Sequence, residues 1–382
     1  MINISKLYSG RAGKSDALRY PERRNLKPIV VFNCTARCNL RCIHCYSSSD
    51  ANQKEQELST EQAKNLIDQV ADFGCPVLLF SGGEPLMRRD LFELMEYARG
   101  KDLRIVLSTN GTLISESVAR RLAELNLSYA GISLDGPQQL HDRFRGTPGS
   151  FDSTIRGIAR CREAGIRTGL RFTMTRQNIE YIGDMFDIAK SSGVGRICFY
   201  HLIRTGRAEK LASQMPEPEQ IRQAMDTILE RTAAAVAEGW AEEVLTVGNH
   251  ADGPYLLMRM RETKPEPAAE AEGFLRRAAG NRVGQNISAV DWTGRVFPDQ
   301  FWRNYELGNI LERPFGEIWQ DEDDPVLNVL RNKSDYKDPK CARCRWFELC
   351  GGNFRSLTGT ADLSQWCNEP LCYLTEEEIA LE

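Results

Sequence analysis

The chain has 382 residues, 41% of them hydrophobic and 27% charged, with 30 glycines and 16 prolines, an ordinary globular balance that excludes disorder, collagen-like repeats and low complexity. A net charge of −4 lacks the basic surplus that phosphate binding needs and argues against nucleic acid as the main ligand. The opening residues carry no apolar signal-peptide core and no later run is apolar enough to span a bilayer, so a cytoplasmic protein with no membrane partner is expected.

From residue 29 to residue 203 the sequence alternates short β-branched runs with amphipathic helical stretches. The strand-like runs are 29–32, 77–80, 104–108, 129–134, 170–173 and 196–200. Ser59-Thr60-Glu61-Gln62 reads as a helix start in which serine and glutamine cap each other. Ala63, Leu66, Ile67, Val70 and Phe73 then recur at helical spacing until Gly74 ends the run. Ser115, Ser150 and Asn178 mark further starts, and Gly165 and Gly193 further ends. Six strand–helix periods predict an α/β fold with parallel strands and right-handed crossovers, a partial (β/α)6 TIM-like barrel whose chemistry sits at the C-terminal strand ends. Residues 211–280 read as a helical connector rich in Ala, Glu and Arg. Beyond it, 287–290 and 295–298 around Gly294 form a hairpin candidate.

Seven of the twelve cysteines fall in two tight groups, as metal ligands do, while scattered cysteines behave as small apolar residues. The first group is Cys38-Asn39-Leu40-Arg41-Cys42-Ile43-His44-Cys45, just after the first strand. Three thiolates there can hold three corners of a cubic iron–sulfur cluster and leave the fourth iron open to a ligand. The rival is a structural zinc held with His44, although that histidine lies wedged between the cysteines. The second group is Cys341, Cys344, Cys350 and Cys372, enough thiolates to close a second cluster or to bind zinc in two knuckles. Cys367 competes with Cys372 as fourth ligand, and Cys34 reads as a neighbour of the first group.

The Cys38, Cys42, Cys45 spacing, followed by Ser81-Gly82-Gly83-Glu84-Pro85 after the second strand, resembles the radical S-adenosylmethionine (radical SAM) superfamily. The C-terminal cysteines resemble that superfamily's SPASM/twitch extension, although Asp299 stands where an upstream cysteine is usual, so one auxiliary cluster is expected. The resemblance implies two 4Fe–4S clusters and SAM as cofactors. It places Gly82, Gly83 and Glu84 at the SAM amino group, and Ser108, Asn110, Ser133 and Asp135 at its carboxylate and ribose. It divides the chain into an N-terminal strap (1–27), a radical SAM core (28–210), the connector (211–280) and an auxiliary cluster domain (281–382).

The whole chain further resembles the tetrapyrrole-modifying enzymes of alternative haem and haem d1 synthesis. Ile4–Tyr8, Ser15–Tyr20, Asn249–Tyr255, Asp299–Arg303 and Cys350–Arg355 carry that resemblance, and the N-terminal stretches favour the haem branch. The implied reaction is loss of two acetate side chains from 12,18-didecarboxysirohaem to give iron coproporphyrin III, by hydrogen abstraction with a 5′-deoxyadenosyl radical. The haem d1 branch, removing two propionates, and a peptide-modifying maturase are the alternatives. A monomer is expected, served by a ferredoxin- or flavodoxin-type reductant. A substrate rich in carboxylates calls for arginines, and Arg171, Arg204, Arg207 and Arg303 are candidates. His201 and His250 are candidates for iron ligation or proton donation. Tyr200, Tyr255 and Trp302 have the shape to stack on a macrocycle or to fill core.

Overall fold

A computed structural model describes residues 1–11, 27–333, 339–353 and 371–380. Its strands, in chain order, are β1 (Ile2–Asn3), β2 (Ile29–Thr35), β3 (Val77–Gly82), β4 (Arg104–Thr109), β5 (Ala130–Ser133) and β6 (Thr168–Met174), then β7 (Arg196–His201), β8 (Glu243–Val247), β9 (Ile287–Val290), β10 (Arg295–Phe297) and β11 (Gly308–Asn309). All join one sheet in the order β1-β8-β7-β6-β5-β4-β3-β2-β9-β10-β11. The six strands read from the sequence are β2 to β7, each parallel to the next. They form the partial barrel.

Side-chain alternation explains how the barrel gains both a core and a lumen. Phe32, Phe80, Leu107, Ile132, Phe172 and Phe199 face outward into one large core under the helices. Their neighbours Asn33, Ser81, Ser108, Gly131, Ser133, Arg171, Thr173 and Tyr200 therefore face inward. That inner surface is polar towards the C-terminal strand ends, whereas Val31, Ala289 and Phe297 make a small apolar cluster on the same side. Two helices start on the caps the sequence predicts, whereas Asn178 precedes a 3₁₀ turn, Ile179–Tyr181, and the α-helix there begins only at Ile182. Gln62 N donates to Ser59 Oγ at 3.2 Å and Ser59 N to Gln62 Oε1 at 2.9 Å, closing the capping box of the helix Thr60–Asp72. Ser115 accepts from Val118 N in the same way.

The connector reading needs one correction. Residues 211–280 do hold the helices Pro218–Ala237, Asp252–Thr263 and Pro265–Ala278, but β8 lies between them as a seventh parallel strand against β7. Its signal, Val244 to Val247, is short and follows Glu242 and Glu243, so the alanine-rich helical pattern before it dominated the reading. β8 in turn receives β1, with Ile2 opposite Thr246, and Asn3 Nδ2 donates to Glu243 Oε1 at 3.1 Å. On the other edge, the predicted hairpin forms from β9 and β10, and β9 runs parallel to β2. Tyr255 and Trp302 are each 1% exposed; both are core. Among the described residues no helix is long and apolar enough to cross a membrane.

Candidate functional site

The first cysteine group follows β2 at the C-terminal rim of the barrel. Backbone bonds pin its loop: Arg41 N donates to Arg145 O at 3.2 Å, and Ile43 N to Phe144 O at 2.9 Å. Arg207 clamps it from the β7 side, with Nε on Cys42 O (2.7 Å), Nη1 on Ser49 O (2.9 Å) and its backbone N on Cys45 O (3.0 Å). That clamp uses Nε and Nη1 of Arg207, which the sequence offered as a substrate contact, and leaves its buried Nη2 without a hydrogen-bond partner. Gly206 permits it: φ is +60°, and a Cβ would stand 2.4 Å from Tyr46 O. Cys38, Cys42 and Cys45 gather with Leu40 in one buried cluster. Burial pushes the Cys38 thiol up to about 12, and pushes Cys42 up as well, so these groups ionise when a metal displaces the proton. Among the described residues no three Cys, His, Asp or Glu side chains are arranged to hold a single metal ion. Three grouped thiols fit three corners of an iron–sulfur cluster better than the zinc site.

The Gly82-Gly83-Glu84 turn packs against the start of this loop. A Cβ on Gly83 would lie 2.2 Å from Arg37 O, and one on Gly82, at φ +127°, 2.5 Å from Thr35 O. Only glycine allows the two backbones to approach so closely. Glu84 is fully buried, and burial raises its pKa. Its Oε1 accepts from Thr109 Oγ1 (2.8 Å) and Leu86 N (3.2 Å), and its Oε2 from Asn110 N (2.8 Å). The carboxylate thus ties β3 to β4 and keeps limited acceptor capacity for a ligand. Asn110 continues the tie, donating from Nδ2 to Asn39 Oδ1 at 2.9 Å, within the cysteine loop.

Asp135, after β5, is fully buried beside a charge that the sequence reading missed. Arg145 Nη2 lies 2.6 Å from Asp135 Oδ2, and Nη1 donates to Cys42 Sγ at 3.5 Å. His44 Nε2 stands 3.5 Å from the same carboxylate oxygen. Burial alone would raise the Asp135 pKa, but Arg145, His44 and His141 together hold it below the usual carboxylate range. Burial lowers both His44 and His141 to about 4. His141 Nδ1 accepts from Asp135 N at 3.1 Å. Arg145 was hidden because it ends an ordinary-looking charged helix, Gln138–Arg145, closed by Gly146 at φ +66°.

Deeper in the lumen, Arg171 Nη1 donates to Ser108 Oγ at 2.5 Å. Its guanidinium lies over Gly131, where a Cβ would stand 2.2 Å from Nε. Nε is buried without a hydrogen-bond partner, and no carboxylate pairs with this arginine among the described residues. Arg303 pairs with Asp291 at 3.2 Å and stacks on Trp292 at 4.7 Å, while its buried Nη1 lacks a partner. Asp291 already serves Arg295. Nearby, Tyr46 Oη donates to Asn33 Oδ1 at 2.7 Å and lies 3.1 Å from Ser81 Oγ. Asn33 Nδ2 is also buried without a partner. Asn33 and Tyr46 carried no motif and were invisible to the sequence reading. Cys34 is a buried thiol that donates to Ser81 O at 3.3 Å, with its pKa pushed up to about 12 by burial.

The His201 expectation is corrected by the pleat of β7. His201 shares the outward face of β7 with Phe199, and its Nε2 is 3.0 Å from Asp252 Oδ2, away from the lumen. His250 is buried, and its backbone N donates to Asn353 Oδ1 at 2.6 Å, at the junction with the C-terminal cysteines. Cys341, Cys344, Cys350 and Cys372 line one hollow together with Trp346, Asn353 and Leu374. The spacing therefore brings all four thiols together. Asp299 instead caps a turn, accepting from Phe301 N and Trp302 N, each at 2.8 Å. Cys367, Ser15–Tyr20, Phe354 and Arg355 lie outside the described residues.

Comparison with known proteins places this geometry. The model of the radical SAM superfamily matches residues 32–189, and that of the SPASM iron–sulfur cluster-binding domain matches residues 282–345. The chain is 48% identical to the Fe-coproporphyrin III synthase of Methanosarcina barkeri, over 99% of both chains. It is 36% identical to the pre-heme d1 synthase of Dinoroseobacter shibae, over 92% of this chain and 87% of that one. Among solved structures, Streptococcus suis SuiB bound to the precursor peptide SuiA matches at a TM-score of 0.72 and 17% identity, covering 94% of this chain and 79% of that one. That last likeness is one of fold.

The buried His141 gives the site a defined acid response. Its pKa falls from 6.5 to about 4 on folding, so the unfolded chain binds the extra proton between those values. The stability it contributes is complete above pH 6.5 and is lost as pH falls towards 4, by roughly 3 kcal/mol. His141→Asn keeps an acceptor for Asp135 N and removes the titration. Urea unfolding at pH 7 and pH 4.5 is expected to show a shallower pH dependence in that variant; identical dependence in the two proteins would contradict the assignment.

Proposed function

Since the chain belongs to the radical SAM superfamily, with a SPASM iron–sulfur domain, we propose that it removes the two acetate side chains of 12,18-didecarboxysirohaem to yield iron coproporphyrin III. The observation that carries this reading is the 48% identity to an Fe-coproporphyrin III synthase along 99% of both chains, against 36% for the pre-heme d1 synthase.

In this reading Cys38, Cys42 and Cys45 hold the cluster that binds SAM, and Cys341, Cys344, Cys350 and Cys372 hold the auxiliary one. Bound together, the first cluster and SAM supply a carbon-centred radical able to take hydrogen from an unactivated C–H bond, which no side-chain base can deprotonate. The protein's own residues prepare the ground. Arg207 and Arg145 fix the cysteine loop against the rim, and Arg145 also balances Asp135. Gly82, Gly83 and Glu84, with Ser108, Asn110, Ser133 and Asp135, form the SAM cradle. Glu84 and Asp135 act there chiefly by holding strand ends and loop in register, since their carboxylates are already engaged by the protein.

The lumen arginines are assigned to substrate carboxylates. A largely buried guanidinium without a carboxylate partner is costly unless an anion joins it, and Arg171, half-buried with its Nε orphaned, approaches that state. Arg303 shares its one carboxylate with Arg295 and offers a second donor. A ferredoxin- or flavodoxin-type protein supplies the electron.

Anaerobic reaction of reconstituted protein with SAM, a low-potential reductant and 12,18-didecarboxysirohaem, read by mass spectrometry, is expected to give iron coproporphyrin III. Loss of propionates from the same compound would move the chain to the haem d1 branch. Arg171→Met is expected to weaken binding of the iron tetrapyrrole by about 10- to 100-fold, the loss of a charge-assisted hydrogen bond, in a titration followed at the Soret band. SAM affinity should be unchanged; a fall confined to SAM would reassign this arginine to the cofactor.

A further inference from the structure

The loop after β8 reaches across to the C-terminal cysteines through a buried polar chain. Asp252 is fully buried. Its Oδ2 meets His201 Nε2 at 3.0 Å, and its Oδ1 accepts from Tyr373 Oη at 2.9 Å. Tyr373 follows Cys372 directly. Three residues earlier in the loop, Asn249 Nδ2 donates to Leu371 O at 2.7 Å, on the other side of Cys372. Asn249 Oδ1 also accepts from Asn353 Nδ2 at 2.6 Å, and Asn353 lines the hollow of the four thiols. Both sequence neighbours of Cys372 are thus held by one short loop, and that loop is tied through His201 to the end of β7.

We infer that Asp252 is a positioning residue for the auxiliary cluster: through Tyr373 it sets where Cys372 presents its thiol, and through His201 it fixes that cluster relative to the barrel. This rests on the reading of Cys372 as a cluster ligand. A buried carboxylate with donors on two sides is a directional device, because each partner leaves an uncompensated acceptor if it moves. Outer partners of this kind orient metal ligands and tune the centre they hold. The arrangement also explains the seventh strand. β8 delivers the loop 249–252 to the rim, where it joins β7 to the C-terminal segment, and the imidazole of His201 faces outward because its partner lies there.

The test uses the full-length reconstituted protein and reads the metal centres rather than turnover. Iron per chain, the electron paramagnetic resonance spectrum of the reduced protein and the midpoint potentials are compared for wild type, Tyr373→Phe, Asp252→Asn and Cys372→Ala. Tyr373→Phe removes a single hydroxyl, so the fold stands. It is expected to shift the g-values and potential of the auxiliary signal while the SAM-induced change in the other cluster's spectrum persists. Asp252→Asn is expected to shift the same signal further, and Cys372→Ala to lower iron from about eight towards about four atoms per chain. An auxiliary signal unchanged in both Tyr373→Phe and Asp252→Asn, with Cys372→Ala still losing iron, would overturn the positioning role alone. Full iron and an unchanged spectrum in Cys372→Ala would remove the ligand assignment and the inference with it.

Discussion

Three thiols in one short loop are the constraint around which the barrel mouth is arranged. Burial disfavours the thiolate form of Cys38 and Cys42, so the loop needs a metal to ionise those two and a rigid frame to keep all three together in the meantime. The frame is polar and long-range. Arg207 arrives from beyond β7, Arg145 from the helix after β5, and the Gly82-Gly83 turn from β3, each meeting loop backbone or sulfur. None of these contacts tolerates a slip of register. The glycines admit no Cβ, and Asp135 beneath Arg145 is a buried charge whose cost is met only while the pair stands.

The same economy of strand ends divides the lumen from the core. Outward positions of β2 to β7 are mostly aromatic or aliphatic and pack under the helices, with His201 a polar exception; inward positions towards the C-terminal strand ends are mostly polar. Arg171 extends into the lumen because Gly131 on the neighbouring strand carries no side chain to obstruct it. A cationic floor over a glycine, with a half-satisfied Arg303 stacked on Trp292 and Phe297, suits a planar substrate carrying several carboxylates better than a neutral one.

Much of this was legible in the sequence because it is written in local patterns. The strand–helix period, the Ser59 capping box and the hairpin around Gly294 appear where the residues placed them, and both cysteine groups converge. What escaped was carried by tertiary partners. β8 is too short to outweigh the helical residues before it, and β1 has only two residues. Arg145 looks like one more surface charge on a helix until Asp135 and Cys42 meet it. His201 sits at the expected end of a strand, but a period of two decides which way it points, and Asp252, fifty-one residues later, is what makes the outward side polar. Chemistry inferred from strand ends alone lacks that parity.

The frame at the barrel mouth directs a radical to a tetrapyrrole side chain. The most direct test is isotopic: 12,18-didecarboxysirohaem deuterated in its acetate-bearing rings, incubated anaerobically with reconstituted protein, SAM and reductant. Deuterium is expected in 5′-deoxyadenosine in step with the appearance of iron coproporphyrin III. Unlabelled 5′-deoxyadenosine beside an intact macrocycle would contradict that role.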